Sequence, residues 1–508
     1  MHQGAPNNAF YRLFVFLHTA LAGRGNLDLK TAGSGMNLPE IGGSELNRFD
    51  AGSLAAAYRN KQLSPVEITQ AALARAAEIQ GSLNPFTFLD PENALAAARS
   101  AERRWARGEP LSPIDGIPTT LKDIVHVQGW TVRYGSRTTD PAPMHRDAPS
   151  VARLRKAGAV FIGQTTTPEF GWKAVTDSPA FGVTRNPWNP TRTPGGSSGG
   201  AAVAAACGAG VLHLGTDGGG SIRIPSSFTG IVGHKPTYGR VAAHPLSSFG
   251  TVAHIGPMTR TVADTVAMLE VVSGRDLRDW TQPPIRYPKL NVSRLDWKGK
   301  RIGYWKEPCV GNVEPAVAAA IEGVVNDLEE AGAIVAEIRL PGQENLLELF
   351  YAHWYVGAAN RLASIDPEKW STLDPGFLNA ASAGQGYTGV ERMAAEIRRA
   401  KFGAAMDALL AEHDFIISPT VPVLPFEAGH DTPPGGDLQS WVSWSSFSFP
   451  INLSQQPAST VPCGLTEDGL PIGMQIIGAR GEDSDVLSAA LSYEEMYPHR
   501  FLSCNRVN

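Results

Sequence analysis

Three helical segments that each end in glycine and lead into a short apolar run constrain the fold of this chain most. The pairs are SVARLRKAG with AVFIGQ from residue 150, AAVAAACGAG with VLHLGTD from residue 201, and AVAAAIEGVVNDLEEAG with AIVAEIRL from residue 316. Short apolar strands that alternate with helices indicate a parallel or mixed sheet covered on both faces. The pattern therefore predicts an α/β fold with a large mixed central β-sheet and helices on both of its faces.

No interruption of this alternation marks a domain boundary, so we predict a single domain over residues 36–508. Its helical layer around residues 345–402 is a candidate wall of a substrate pocket, plain core packing being the alternative. The proline-rich segment Trp280–Lys300 is expected to be a surface connection between two halves of one sheet, or a subdomain border. Residues 1–35 are expected to be a dispensable extension. The apolar run LFVFLHTALAG within it leaves an export signal as the alternative.

The composition excludes several classes of function. A net charge of -5 over 508 residues gives no basic footprint for nucleic acid. No apolar run approaches the ~18 residues that span a bilayer. The four cysteines are far apart and the histidines form no H-E-x-x-H motif, which argues against a disulfide framework and a zinc site. We therefore expect a cytoplasmic enzyme that needs no metal or cofactor. It is expected to bind a small molecule and not a membrane. The oligomeric state is left open, and a homodimer is one candidate.

Two glycine-serine clusters carry the candidate chemistry. GGSSGG, residues 195–200, fits the G-x-S-x-G elbow, but RNPWNPTRTP before it contains three prolines and is not a central strand. GGGS, residues 218–221, directly follows the apolar strand VLHLGTD, where α/β sheets bind ligands. Successive glycine N–H groups can converge there on an oxyanion. Ser221 is thus a candidate nucleophile, and Lys122 in GIPTTLKDIV is a candidate base, an exposed strand-end charge being the alternative.

These motifs together resemble the amidase signature family. The resemblance rests on GGSSGG, on GTDGGGSIR at residues 215–223, on GIPTTLKD at residues 116–123 and on their spacing, and it extends from about Phe49 to Gly478. Ser197 and Ser221 are 24 residues apart, and Lys122 lies 75 residues before Ser197. The resemblance implies a Ser–cis-Ser–Lys triad that hydrolyses amides through an acyl-enzyme.

The resemblance assigns a role to each residue of the two clusters. Ser221 attacks the carbonyl, Ser197 relays its proton, and Lys122 accepts it in the neutral form that burial favours. The peptide between Gly196 and Ser197 is expected to be cis. The N–H groups of the loop are expected to form the oxyanion hole, and three further residues to support that loop. The oxyanion-hole residues are Gly218, Gly219 and Gly220, with the N–H of Ser221, and the supporting residues are Ser198, Asp217 and Arg223.

The chain departs from the common family pattern at two points. Gly218 stands where threonine is usual, and GQTTTPEF at residues 163–170 stands where GKTNMPEF is usual. The extra glycine is expected to loosen the oxyanion loop. The second departure leaves the triad intact but weakens any substrate assignment made from the family alone.

The substrate is predicted from two candidate pocket walls, the helical layer Asn345–Phe402 and the segment Trp441–Ser459. The second alternates aromatic residues with serines and contains no charged side chain, a buried structural segment being the alternative. Such walls favour a small, neutral, aryl or hydrophobic amide, with esters and carbamates as related substrates. The alternative function is a glutamine amidotransferase A-type subunit that acts with partner subunits, and a third is a non-catalytic binding protein.

Overall fold

In the computed structural model, residues 45–436, 438 and 440–498 are described, and eleven strands of this part form one mixed sheet. The strands are β1 (Phe86–Leu89), β2 (Pro118–Lys122), β3 (Val160–Thr165), β4 (Asp177–Ser178), β5 (Gly182–Val183), β6 (Leu212–Asp217), β7 (Val232–Lys235), β8 (His254–Thr259), β9 (Arg301–Trp305), β10 (Ile334–Ile338), β11 (Phe415–Pro419), β12 (Ala458–Leu465) and β13 (Pro471–Ile477). β4 and β5 form a separate hairpin.

The α-helices of the described chain alternate with the strands in part, as the sequence pattern predicts, but three of them follow one another between β10 and β11. They are α1 (Ala51–Arg59), α2 (Pro65–Leu83), α3 (Pro91–Arg107), α4 (Pro149–Lys156), α5 (Gly199–Ala206), α6 (Arg223–Thr229), α7 (Val262–Val272), α8 (Pro315–Glu330), α9 (Leu346–Leu362), α10 (Pro375–Gln385), α11 (Gly389–Glu412), α12 (Trp441–Trp444), α13 (Phe449–Ser454) and α14 (Asp483–Met496). Short 3₁₀ helices cover Glu45–Arg48, Glu169–Gly171, Gly250–Val252, Gln343–Asn345 and Pro367–Thr372.

Local sequence explains where several helices begin and end. At the start of α2, Ser64 Oγ accepts the N–H of Glu67, and Glu67 Oε2 accepts the N–H of Ser64 at 2.8 Å. Thr388 and Glu391 form the same reciprocal pair at the start of α11. Each capping side chain satisfies a backbone donor that the helix cannot, which is worth about 1 kcal/mol. α3 ends where Gly108 adopts a left-handed conformation with φ 74°.

The sheet order is β1-β3-β2-β6-β8-β7-β12-β13-β11-β9-β10. β3, β2 and β6 are parallel neighbours, as are β11, β9 and β10, while the strands between these two groups pair antiparallel. β1 is antiparallel at the edge. The predicted large mixed sheet is therefore confirmed.

Two large apolar cores lie on opposite faces of the sheet. Along β11, Phe415 and Ile417 belong to one cluster of buried side chains, and Ile416 between them belongs to the other. Along β13, Ile476 and Ile477 divide between the clusters in the same way. Because successive strand residues point to opposite faces, this alternation means that both faces of the sheet are covered.

The sheet consists of two sequence-contiguous halves. Residues 86–259 supply β1, β2, β3, β6, β7 and β8, and residues 301–477 supply the other five strands. The halves meet where β7 pairs with β12, with Ser459 opposite His234. Trp280–Lys300 lies in the connection between α7 and β9, a fully described stretch that contains neither helix nor strand. The predicted connection between two halves of one sheet is found there.

Candidate active site

Lys122 lies at the carboxyl end of β2, a strand that is buried along its whole length. Its Nζ is 2.7 Å from Ser197 Oγ, 2.8 Å from Ser198 Oγ and 2.9 Å from Thr216 Oγ1. Among the described residues no carboxylate pairs with this amine. Burial lowers the pKa of Lys122 well below its ordinary value, and the negative charge of Asp217 offsets only part of that effect. The environment therefore favours the neutral amine.

The hydrogen bonds of Ser198 fix its role towards the lysine. Ser198 Oγ donates to the carbonyl oxygen of Thr216 at 3.1 Å and accepts the Thr216 N–H at 3.2 Å. A hydroxyl has one proton, so Ser198 can only accept from Lys122. The lone pair of a neutral Lys122 is therefore available to another hydroxyl, such as that of Ser197.

Ser197 follows a cis peptide bond from Gly196. A Cβ on Gly196 would lie 2.5 Å from the backbone carbonyl of Val175, so the close approach of two backbones requires glycine at this position. Thr176 Oγ1 donates to the Gly195 carbonyl at 2.8 Å and accepts the Gly199 N–H at 3.1 Å. The first cluster is thus a packed turn that aims Ser197 at Lys122, and not a flexible linker.

Ser221 ends the loop that follows β6. β6 pairs parallel with β2, so the loop and Lys122 emerge at the same edge of the sheet. The loop is held by Asp217, whose two carboxylate oxygens accept the N–H groups of Gly220 at 2.8 Å and Ile222 at 3.2 Å. Ser221 and Ser197 line the same cavity.

Asp217 is in turn held by a buried network. Arg223 donates to Asp217 through Nε at 2.9 Å and Nη2 at 3.0 Å, and it also reaches Asn452 at 2.6 Å and Gln475 at 3.1 Å. Asn452 Nδ2 donates to Asp217 Oδ1 at 2.8 Å. Burial alone would raise the pKa of Asp217, but the charge and hydrogen bonds of Arg223 bring it below its ordinary value. Sequence motifs identified Asp217 and Arg223 but missed Asn452 and Gln475, which lie more than 200 residues away.

The hydrogen bonds of the loop reduce the number of N–H groups that can form the expected oxyanion hole. The N–H of Gly220 already donates to Asp217, so it is not free to bind an oxyanion. The expectation that Gly220 contributes a donor therefore needs correction. The N–H groups of Gly218, Gly219 and Ser221 are the ones left for that role.

Aromatic side chains pack directly against the glycine loop. A Cβ on Gly218 would lie 2.9 Å from the Trp354 ring, and a Cβ on Gly219 would lie 3.0 Å from Phe350 and 3.1 Å from Trp441. Trp354 stacks between Phe249 and Phe350, with centroid distances of 3.8 and 5.2 Å. Glycine in place of the usual threonine at residue 218 therefore leaves room for the indole of Trp354. The expected loosening of the loop is not seen, because Trp354 fills the space.

A cavity of about 250 Å³ opens onto Ser197 and Ser221. Its walls are largely aromatic and apolar, and the described residues that line it include three histidines and one arginine but no aspartate or glutamate. The aromatic and charged members of this lining are Tyr134, Phe170, Phe249, Trp354 and Arg361.

The cavity differs from the predicted pocket in two ways. The helical layer does contribute, through Trp354 and Arg361 of α9. The segment Trp441–Ser459 does not line it: Trp441 and Ser448 pack behind the glycine loop, within the buried core. The lack of charge in that segment therefore does not describe the pocket, because Arg361 of the helical layer lines the cavity. The alternation of serines with aromatic residues predicts a segment that packs near the site. It does not show whether that segment lies on the cavity side of the glycine loop or behind it.

Comparison with known proteins identifies the family. The family model named Amidase matches residues 67–487. The chain belongs to the amidase family. The A subunit of glutamyl-tRNA(Gln) amidotransferase from Chloroflexus aurantiacus is 34% identical over 478 residues, which cover 89% of this amidase and 97% of that protein. The family resemblance drawn from the two glycine-serine clusters and the lysine motif is thereby confirmed.

Solved structures of the amidase family share the fold. A bacterial aryl acylamidase of the amidase signature family superposes with a TM-score of 0.81 at 26% identity, covering 91% of this chain and 99% of that one. The A subunit of glutamyl-tRNA(Gln) amidotransferase from Thermotoga maritima superposes with a TM-score of 0.73 at 27% identity, covering 89% and 95%. The chain is accordingly an amidase-family hydrolase that acts on amide C–N bonds.

None of the helices in residues 45–498, apart from the undescribed positions, is long and apolar enough to cross a bilayer.

Proposed function

We propose that Ser221 is the nucleophile, Ser197 the proton relay and Lys122 the base of an amide hydrolysis. The observation that carries this proposal is the environment of Lys122, whose buried amine is 2.7 Å from Ser197 Oγ and is surrounded by hydroxyls. A lysine acts as a base only when it is neutral, and burial without a carboxylate partner provides that state.

The reaction follows from these positions. Ser221 Oγ bonds to the amide carbon while its proton passes through Ser197 to Lys122. The tetrahedral oxyanion is stabilised by the N–H groups of Gly218, Gly219 and Ser221. Collapse breaks the C–N bond, and the proton on Lys122 returns through Ser197 to the leaving nitrogen. Water then repeats the attack on the acyl-enzyme and releases the carboxylic acid and Ser221. No hydrogen bond joins Ser197 to Ser221 in the described chain, but such contacts often tighten only when substrate binds.

A glutamine-type primary amide, from which ammonia is released, is the substrate that the relatives favour. Amidotransferase A subunits are 33–35% identical to this chain over 86–89% of its length. In that role the ammonia would pass to a partner subunit. The second candidate is the neutral aryl amide, favoured by the aromatic cavity walls and by the similarity to the aryl acylamidase fold.

The triad is tested by single substitutions. Ser221→Ala, Ser197→Ala and Lys122→Ala are each expected to lower kcat by about 10³-fold or more, with losses that do not add because the three act as a unit. Ser226→Ala is the matched control, since Ser226 is a buried serine of the following helix that bonds to the Ile222 carbonyl and does not line the cavity. Turnover by Ser221→Ala close to that of the unaltered protein would refute the assignment.

The substrate class is tested by measuring kcat/KM for glutamine and for acetanilide side by side. Glutamine is expected to be better by at least tenfold, about 1.4 kcal/mol. The two amides differ in their leaving group as well as in their fit to the cavity, so the ratio for each is taken relative to its hydrolysis without enzyme. A tenfold preference for acetanilide would assign the chain to the aryl amide class instead.

A further inference from the structure

Within the described residues, Arg361 is a cation without an anionic partner on the wall of the active-site cavity. It lies in the last turn of α9, seven residues after Trp354, so the two side chains lie on the same face of the helix. Seven residues correspond to about 10 Å along the helix axis, and helical side chains lean back towards the amino terminus. The guanidinium therefore lies within reach of a substrate whose carbonyl is beside Gly218 and Ser221.

The contacts of Arg361 leave its hydrogen-bond donors largely unused. The guanidinium lies 4.5 Å from the ring centroid of Phe170 and 5.6 Å from that of Tyr134. In the described part of the chain, its one side-chain hydrogen bond, to Ser364 Oγ, is 3.5 Å long, and its buried Nε has no acceptor. Arginine carries five N–H donors, and a bond of that length contributes little.

Two buried arginines of the described chain, Arg223 and Arg399, have acceptors for most of their N–H groups. Arg223 binds Asp217, Asn452 and Gln475, and Arg399 binds the Leu453 carbonyl and both the hydroxyl and the carbonyl of Thr251. Arg361 has no comparable set of acceptors among the residues described. The rings of Phe170 and Tyr134 contact the guanidinium but accept no hydrogen bond from its N–H groups, which are therefore left for a ligand.

The charges around Arg361 also favour an anionic ligand. No aspartate or glutamate lines the cavity in the described residues, which makes Arg361 its one permanently charged lining group there. The carboxylate that acts on it from behind the wall is Glu169, and both oxygens of Glu169 are already engaged, by Ser136 Oγ at 2.6 Å and by the Asp374 N–H at 2.6 Å. Tyr134 and Arg361 also line a second cavity of about 410 Å³, but Asp140 and Asp366 line it too, so an anion is favoured on the active-site side of Arg361.

We infer that Arg361 binds an anionic group of the substrate, and that the preferred substrates are amides that carry a carboxylate. Arginine and carboxylate form paired, charge-assisted hydrogen bonds, which are the strongest class available to this side chain. The inference rests on the proposed amide hydrolysis. The α-carboxylate of glutamine is one such anion, on the acyl half of the amide, and a carboxylate on the amine half is tested beside it.

Matched substrate pairs with and without the carboxylate test the inference. Glutaramate and pentanamide differ in a carboxylate on the acyl half, and 4-acetamidobenzoate and acetanilide differ in one on the amine half. The Arg361→Gln variant is expected to lower kcat/KM by about 10- to 100-fold for the carboxylate member of the preferred pair. The loss should appear mainly in KM, because the carboxylate is bound equally in the ground state and the transition state. The neutral member should change less than about twofold.

Two further variants separate charge from packing. Arg361→Lys should retain part of the preference, because it keeps the charge and loses the planar fork. Arg398→Gln removes an exposed arginine that pairs with Glu348 outside the cavity and should leave all four substrates unchanged. Equal losses for charged and neutral members in Arg361→Gln, or no loss for either charged one, would overturn the inference.

A binding measurement keeps this inference separate from the proposed chemistry. In the Ser221→Ala background, calorimetry with glutarate is expected to show binding that Arg361→Gln weakens by tenfold or more and that Arg398→Gln leaves unchanged. The triad is tested independently of Arg361 by measuring turnover of the neutral amides, which Ser221→Ala is expected to abolish. Glutarate binding that is indifferent to Arg361 refutes the anion site even where the triad is upheld.

Discussion

Among single residues, Lys122 decides how this protein responds to pH. Its amine is buried, contacts three hydroxyls and has a pKa well below the ordinary value. Because only the neutral amine accepts a proton, kcat/KM is expected to rise with pH as Lys122 loses its proton. A pH profile of purified protein between roughly pH 5 and 10, a range that brackets the shifts known for buried lysines, measures this. A kcat/KM that falls as the pH rises above neutral would contradict this prediction.

The same residue links pH to stability. A lysine whose pKa is lower in the folded state binds its proton better in the unfolded chain, so its contribution disfavours folding as pH falls through the unfolded pKa. Lys122→Met removes this contribution. The difference in free energy of unfolding between variant and unaltered protein is therefore expected to grow in favour of the variant as pH falls. Denaturant titrations at several pH values provide the measurement, and parallel curves would count against a protonation shift.

Among the structural elements, the glycine loop and α9 form one packed unit. Gly218→Thr places a side chain where Trp354 now lies, since even a Cβ would approach the ring to 2.9 Å. We expect a loss of about 1–3 kcal/mol of stability from overpacking and of about 10²-fold in kcat from displacement of the loop. Trp354→Leu in the same chain should restore part of both, whereas simple additivity of the two substitutions would contradict direct packing.

The network beneath the loop predicts a larger effect. Arg223→Met leaves Asp217 as a buried charge without its cation, and removing one member of a buried pair costs about 3–5 kcal/mol. Asn452→Ala removes an uncharged donor from the same carboxylate but leaves the Asp217–Arg223 ion pair intact, and it is expected to cost about 1–3 kcal/mol. Thermal unfolding of both variants gives the comparison. Similar small losses in both would mean that Arg223 does not hold the loop.

Sequence patterns predicted the elements that carry their own periodicity. The runs VLHLGTD and AIVAEIRL contain β6 and β10, and AVFIGQ covers β3 except for its last residue, Thr165. The motifs also predicted that Lys122 lies beside Ser197. The patterns did not reveal Thr216 as a third hydroxyl at the amine, because that contact depends on the pairing of β2 with β6. β8 also gave no strand signal, since a proline and a glycine lie within it despite its place between β6 and β7.

The residues that line the candidate site were also predicted only in part from the sequence. Arg361 is one of many charged residues on predicted helices, and only the fold of α9 against the loop turns it towards the cavity. The aromatic segment Trp441–Ser459 looked like a wall, yet it supports the loop from behind. Composition predicts the burial of the aromatic segment, but the face to which a side chain is presented depends on tertiary packing.

For the whole molecule, the first 35 residues are predicted to be dispensable. Residues 1–35 lie outside the described part of the chain, and every residue assigned to the site lies within residues 122–475. A variant that lacks residues 1–35 is expected to keep the kcat/KM and the melting temperature of the full chain, because it retains every residue of the site. Calorimetry and a turnover assay compare the two, and a drop of several degrees in Tm would show that the extension contributes to the fold.

The division of the sheet into two contiguous halves makes this chain a candidate for a split enzyme. A cut at the exposed residues Ile285 and Arg286 would give one fragment with Lys122, Ser197 and Ser221, and another with Trp354, Asn452 and Gln475. Neither fragment alone has both the nucleophile and the complete set of side chains that hold its loop, because Asp217 and Arg223 are separated from Asn452 and Gln475. Co-expressed, they should anneal along the open edges of β7 and β12 and regain activity. Fused to two interacting proteins, the pair would then report their association through amide turnover.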